Sequence, residues 1–333
     1  MRVLRPDRER GAALVAALML VALMAAISVQ LLDLSRFAVF RTANAADRAE
    51  AYWSALGARA FAEGFITDIA EAEVMRSDLP WLSAPQVFPV ERGVITGRVM
   101  DGSHCLNINA LADPGDRGTG SGLSAERGRA RDMYDALMSA IGAPPASAVR
   151  LKAQIIDWID ADTRPEPGGA EDDAYQRFDP PYRAANQRFS EREELLALPE
   201  MSPELYALVS PWLCVRPSDQ QHAVNVNTLS VDQAPLLSAV FSGRLSVPDA
   251  EAVLFRRPPQ GYDALEDFWA DPLIDQLQIE GPERRDIAVR SDWFEMRVEV
   301  VLDEARFELS QLAEVSESTG SIRRHRQRFG PAL

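Results

Sequence analysis

Histidine is scarce in this sequence of 333 residues: there are three, His104, His222 and His325, and none is spaced as a metal site or a catalytic triad. With no converging nucleophile, base and orienting group, catalysis is not expected. No glycine loop of the GxxxxGK type is present to cradle phosphates. Positive charge is also short. The formal net charge of -15 removes an unaided electrostatic grip on nucleic acid or on anionic lipid headgroups, since both select for excess Lys and Arg. Cysteine is limited to Cys105 and Cys214. What is not scarce is apolar surface. A hydrophobic fraction of 47% with 26% charged residues is ordinary for a folded chain, long enough to bury one large core or two smaller ones.

Charge is wholly missing from Ala12 to Leu32, AALVAALMLVALMAAISVQLL, which at helical rise can cross a hydrocarbon core of roughly 30 Å. Ahead of it, Arg2, Arg5, Arg8 and Arg10 outnumber Asp7 and Glu9, so this end belongs in the cytoplasm and everything after Asp33 lies outside. An uncleaved anchor and a secretory signal peptide cut near Ala25-Ala26 are the plainer readings. Gly11, between the basic leader and the apolar run, instead fits a peptidase that cuts on the cytoplasmic side and keeps the helix. Proline is missing from Leu34 to Phe65, and Tyr52, Trp53, Leu56, Ala60 and Phe61 recur at helical spacing. The membrane helix is therefore expected to continue outward, with Tyr52 and Trp53 packed in the core of its outer half.

Short β-branched runs follow at Val87 to Val90, Val94 to Met100 and Cys105 to Asn109. Near the carboxyl end, Phe294, Met296, Val298, Val300 and Leu302 alternate with Glu295, Arg297, Glu299 and Val301, and the alternation resumes after Asp303-Glu304 at Ala305, Phe307 and Leu309. That pattern predicts a hairpin packed on one face, with a weaker third strand near Ser321 to Arg328. Between the two strand regions the expected elements are helices: Gly122 to Ile141, Ala148 to Ile159, Arg192 to Leu198, Pro203 to Leu213, Val231 to Phe241 and Pro248 to Phe255. Ser202 before Pro203 is a helix cap, and Ser190 with Glu193, like Ser230 with Gln233, fits a capping box. A helical domain inserted between strands of one small sheet is the economical arrangement. Within it, Leu106-Asn107-Ile108-Asn109-Ala110-Leu111 matches Val224-Asn225-Val226-Asn227-Thr228-Leu229 position by position, which points to two related helical units. The asparagines are expected to tie turns and not to bind a ligand.

The densest acidic stretch runs from Asp157 through Asp160 and Asp162 to Glu171, Asp172 and Asp173, around a Pro and Gly loop. Carboxylates and loop carbonyls suit a hard cation such as calcium, which takes about six to eight oxygens. Counting from Asp160 places Asp162 and Glu171 as in an EF-hand, but Arg164 and Pro165 break that loop, so it is not one. A solvated acidic loop is the alternative. Cys105 and Cys214, each ahead of one copy of the repeat, are expected to bridge in an oxidising compartment, against the alternative of two buried free thiols.

Gly11 with its apolar helix, Ala51-Tyr52-Trp53-Ser54-Ala55-Leu56-Gly57-Ala58, Cys105 to Leu111, Asp157-Trp158-Ile159-Asp160, Gly168-Gly169-Ala170-Glu171-Asp172 and Val224 to Thr228 together resemble protein K of the type II (general) secretion pathway, its large minor pseudopilin. The resemblance implies an α+β, pilin-like fold: a cleaved prepilin leader (1–11) with methylation of the mature chain, a membrane and stem helix (12–65), a sheet from 66–110 and 286–333, and an inserted all-α domain (111–285) of two SAM-like or helix-hairpin-helix-like units. It implies cleavage by prepilin peptidase between Gly11 and Ala12, and calcium ligands among Asp160, Asp162, Glu171, Asp172 and Asp173. It also implies a single pass through the inner membrane, and a place at the tip of a periplasmic pseudopilus with minor pseudopilins I, J and H above the major pseudopilin. Pilins usually carry glutamate at the fifth mature position, where this chain has Ala16; protein K is the pseudopilin that lacks this acid.

A membrane-anchored DNA-binding or uptake protein of the helix-hairpin-helix type is the rival. Phe241-Ser242-Gly243-Arg244-Leu245-Ser246 lacks the glycine-rich hairpin that such units offer to phosphates, and the net charge has the wrong sign, so no nucleic-acid partner is expected. A membrane-anchored metal-dependent hydrolase at the acidic stretch is a third reading.

Overall fold

The computed structural model describes residues 8–72, 74–76, 78–112, 121–303, 305–316 and 319–330. Residues 1–7 of the expected leader, and 113–120 at the start of the expected insert, lie outside the described residues. Helix α1, Arg8–Glu71, runs unbroken through the charge-free segment and on for a further 39 residues. It is the one helix among the described residues long and apolar enough to cross a membrane, and its large side chains from Leu14 to Phe40 are exposed.

The outer half of α1 lies against a five-stranded antiparallel meander: β1 (Gln86–Val90), β2 (Gly93–Asp101), β3 (Trp293–Leu302), β4 (Ala305–Val315) and β5 (Ile322–Phe329). β2 and β3 are neighbours although some 190 residues separate them, with Gly93 opposite Leu302 and Asp101 opposite Phe294. Phe294, Met296, Val298, Val300 and Leu302 all point to the α1 side, as the alternation predicts. β5, IRRHRQRF, is a full strand in spite of its charge, because β4 fixes its register and acidic side chains meet its arginines.

The helix side of this contact corrects one expectation. The buried face of α1 is Ala51, Ala55, Ala62, Ile66 and Ile69, while Trp53 is 68% exposed and Phe61 54% exposed. Two sets of residues share helical spacing here. The alanines win because a helix lying close on a sheet has no room for an indole between them. Tyr52 sits at the edge, its ring 5.6 Å from Phe307 and 5.5 Å from Phe329. Two ionic clamps hold stem and sheet together. Arg92 reaches Asp47, Glu50 and Asp303 at the membrane-proximal end, and Glu63 accepts both Nε and Nη2 of Arg324 at 2.7 Å together with Gln311 at 3.0 Å.

The chain leaves the sheet at Asp101 and returns at Trp293, so the insertion emerges at the end next to Ile66, Ile69 and Met75, farthest from the membrane segment. Its longer helices are α2 (Ser121–Ala140), α3 (Pro145–Ile159), α4 (Pro203–Val209), α5 (Ala234–Val240) and α6 (Val247–Arg256), around one continuous core that includes Tyr134, Leu137, Leu151, Phe241 and Phe268. The strand expected over Cys105 to Asn109 shrinks to Leu106–Asn107, which pairs in parallel with Leu213–Cys214; Val224–Asn225 pairs in parallel with Ile287–Ala288. These short strands join the helical body and not the large sheet. Ser202 accepts from Leu205, and Gln233 reaches the backbone of Ser230, as expected. The other box is shifted by one residue: Glu194 accepts from the backbone of Ser190 and Glu191, because Glu193 is turned to Arg328.

Candidate functional site

Helix α3 ends at Ile159 and delivers Asp157 and Asp160 to the mouth of the acidic loop. Asp157 is fully buried and organises that loop, accepting from the backbone of Glu166 at 2.9 Å and of Ala170 at 2.7 Å. The two glycines make this possible. Gly168 takes φ +89°, and a Cβ on Gly169 would fall 1.8 Å from Asp157 Oδ2. Asp162 closes a local turn by accepting from Arg164 at 2.8 Å.

Asp160, Asp162 and Glu171 each place a carboxylate oxygen within 4.8 Å of the others. Asp160 Oδ1 and Glu171 Oε1 are buried and have no hydrogen-bond donor. Burial first, and neighbouring carboxylates second, push Asp160 up to about 6 and Glu171 up to about 7; burial also pushes Asp157 up to about 6. An all-oxygen donor set with orphaned oxygens and crowded negative charge fits a hard divalent cation, which would supply the missing positive charge. Asp172 and Asp173 lie outside this cluster: Asp172 accepts from the backbone of Ala184 at 3.1 Å, and Asp173 is exposed. Asp157 is the residue that sequence reasoning left without a role, and the signal for it was the Gly168-Gly169 pair, the first needed for its positive φ and the second for the close approach of this carboxylate.

The asparagine pairs carry the architecture. Asn109 Oδ1 accepts from the backbone of Phe189 at 2.9 Å, and its Nδ2 donates to the carbonyls of Phe189 and Arg216 at 2.9 and 2.8 Å. Asn227 does the same to Tyr262, accepting at 2.7 Å and donating at 2.9 Å, and Gly261 leaves the space it needs. In each copy the first asparagine accepts from the backbone of the second, at 3.2 Å for Asn107 and 3.0 Å for Asn225. All four are fully buried, so they are structural ties, as expected. Cys105 and Cys214 form a disulfide across the first strand pair. His222 lies close by, but both sulfurs are committed to that bond.

A long, apolar amino-terminal helix packed on an antiparallel meander, with a helical body inserted at the far end, defines a pilin-like subunit built for assembly. The model of the type II secretion system protein K family matches residues 104–218 and, in a second part, 224–290. The chain is 33% identical over 317 residues to type II secretion system protein K of Pectobacterium carotovorum subsp. carotovorum, covering 93% of this chain and 94% of that one. It is also 33% identical over 331 residues to the protein K of Dickeya chrysanthemi, covering 90% and 92%. A solved chain of the GspK-GspI-GspJ complex of the enterotoxigenic Escherichia coli type 2 secretion system superposes with a TM-score of 0.72 at 25% identity, covering 88% of this chain and all of that one. The chain belongs to the type II secretion system protein K family and is a minor pseudopilin, a structural component of the secretion machinery.

Proposed function

We propose that this chain begins and caps the type II secretion pseudopilus, anchored in the inner membrane with its sheet and helical body in the periplasm. The observation that carries the reading is where the insertion emerges. The helical body leaves the sheet at the Asp101 and Trp293 end, beyond the last turns of α1, where a further subunit stacked above would have to sit. Ala16, in place of the acid that fibre subunits offer to a preceding neighbour, agrees with a subunit that has no such neighbour. The arginine-rich leader and the disulfide support the orientation.

The partners in this reading are minor pseudopilins I and J, as in the Escherichia coli complex, then H and the major pseudopilin below, with prepilin peptidase cutting after Gly11. Calcium in the Asp160, Asp162 and Glu171 cluster would hold the acidic loop in shape, with no part in catalysis. The test is co-expression of the full chain with I and J, followed by purification in detergent and amino-terminal sequencing. A stoichiometric complex in which this chain begins at Ala12 is expected. An intact Met1, or no complex, would contradict the proposal.

A further inference from the structure

On the face of the sheet turned away from α1, the registers put Arg98 directly opposite Arg297, and Ser310 brings Arg328 into the same row. Like charges directly opposite on neighbouring strands repel. Arg328 is neutralised by Glu191 and Glu193, at 2.7 and 2.6 Å. Arg98 and Arg297 have no such partner among the described residues.

Both line a cavity of about 490 Å³ between the sheet and the helical body, together with Arg216 and Arg326; of the acidic residues on its wall, Glu193 is bonded to Arg328, Asp101 to Thr228 and Asn225, and Glu295 faces Arg216. Arg216 is 1% exposed, and its nearest carboxylate, Glu295, is 4.0 Å away. Nη2 donates to the carbonyl of Gly102 and Nη1 to that of Val215 at 3.2 Å, while Nε has no partner. A buried guanidinium without full hydrogen bonding, on the wall of the same cavity as two opposed, unpaired arginines, is unfavourable when only water fills that cavity. It becomes favourable with a carboxylate, whose two oxygens match the guanidinium fork. Met100, Pro211 and Leu213 supply apolar wall beside these charges, suited to the methylenes and backbone of a peptide.

We infer that this cleft is a docking site for a carboxylate-bearing protein segment, held by Arg98, Arg297 and Arg216. The site is separate from the acidic loop and reverses the sign of a chain whose net charge is -15. A negatively charged segment meets a concentration of guanidinium groups here that the net charge of the whole chain does not suggest.

The full chain in detergent micelles can be titrated with three peptides: acetylated and amidated tetraglutamate, its tetraglutamine counterpart, and tetraglycine with a free carboxyl terminus. Arg216 lies over the Trp293 ring at 4.9 Å, so tryptophan emission reports occupancy. Saturable binding of tetraglutamate identifies a side-chain carboxylate, and saturable binding of the free-terminus peptide a chain end; tetraglutamine should not bind. The double variant Arg98→Gln with Arg297→Gln should bind roughly tenfold more weakly or worse, because two charge-assisted bonds are lost. Its melting temperature should hold or rise, since both side chains are exposed and mutually repulsive. Failure of both carboxylate peptides to bind, equal affinity in the double variant, or displacement by equimolar sulfate would overturn the assignment.

Discussion

The two halves of the helical body are variations on one plan, and their differences show what has been added to the first. Each opens on a buried Asn-x-Asn, pairs a two-residue strand in parallel with the end of its own unit, and uses its second asparagine to hold both backbone groups of a distant aromatic residue. The first unit alone contains the acidic loop, and it alone is closed by a disulfide, spanning 109 residues. Length does not explain the extra fastening. Doubling a loop costs only roughly 0.6 kcal/mol in closure entropy. Charge offers a reason: three carboxylates crowded within 4.8 Å, two of them with orphaned oxygens, repel one another in the closed form, and the cation proposed above would relieve that repulsion. The second unit carries no such cluster among its described residues and needs only its hydrogen bonds and core.

The comparison can be broken most forcefully at the disulfide. Replacing Cys105 and Cys214 by serine should cost on the order of 2–5 kcal/mol, and limited proteolysis should open the first unit before the second. Asn109→Ala should follow, at about 2–4 kcal/mol, because it leaves buried groups of both Phe189 and Arg216 unpaired; Asn227→Ala, which frees only Tyr262, should cost less in the same melting experiment. Equal costs would mean that the two ties are not graded by their bonds. Outside the helical body, Glu63→Gln should cost about 1–2 kcal/mol by unmaking the Arg324 clamp, whose other half is partly in solvent. Arg324 holds the Glu63 carboxyl below the usual range, so its contribution is complete above the unfolded pKa of about 4.3. That contribution fades as pH falls through the lower folded value, and the variant should lose this acid limb of its stability profile. Smallest of all, Trp53→Ser should change the melting free energy by no more than about 0.5 kcal/mol, since the indole packs in no core.

Much of this was legible from local pattern. The charge-free run from Ala12 to Leu32, the alternation from Phe294 to Leu302 and the echoed asparagines each depend on neighbours a few residues away, and the structure realises all three. The carboxylates at Asp160, Asp162 and Glu171 were legible as a cluster, because one tight loop brings them together. What was not legible depends on partners far along the chain. Which of two helical stripes on α1 turns inward is decided by how closely a sheet, formed partly some 240 residues later, lies on it. The short strands at Leu106–Asn107 and Val224–Asn225 look like ordinary β sequence until their parallel partners are known. The shifted capping box at Glu191 follows from Arg328, more than a hundred residues downstream. Arg98 and Arg297 give no signal singly, and only strand register reveals them as an opposed pair.

We propose that the first unit is the second unit's plan plus a loop that a cation holds. The most direct test is the thermal unfolding of the full chain in detergent, with calcium and with chelator, for the native sequence and for Glu171→Gln. At a calcium concentration one hundred times the dissociation constant, the native chain should gain roughly 2.7 kcal/mol, and Glu171→Gln should gain far less. Identical melting curves with calcium and with chelator would contradict it.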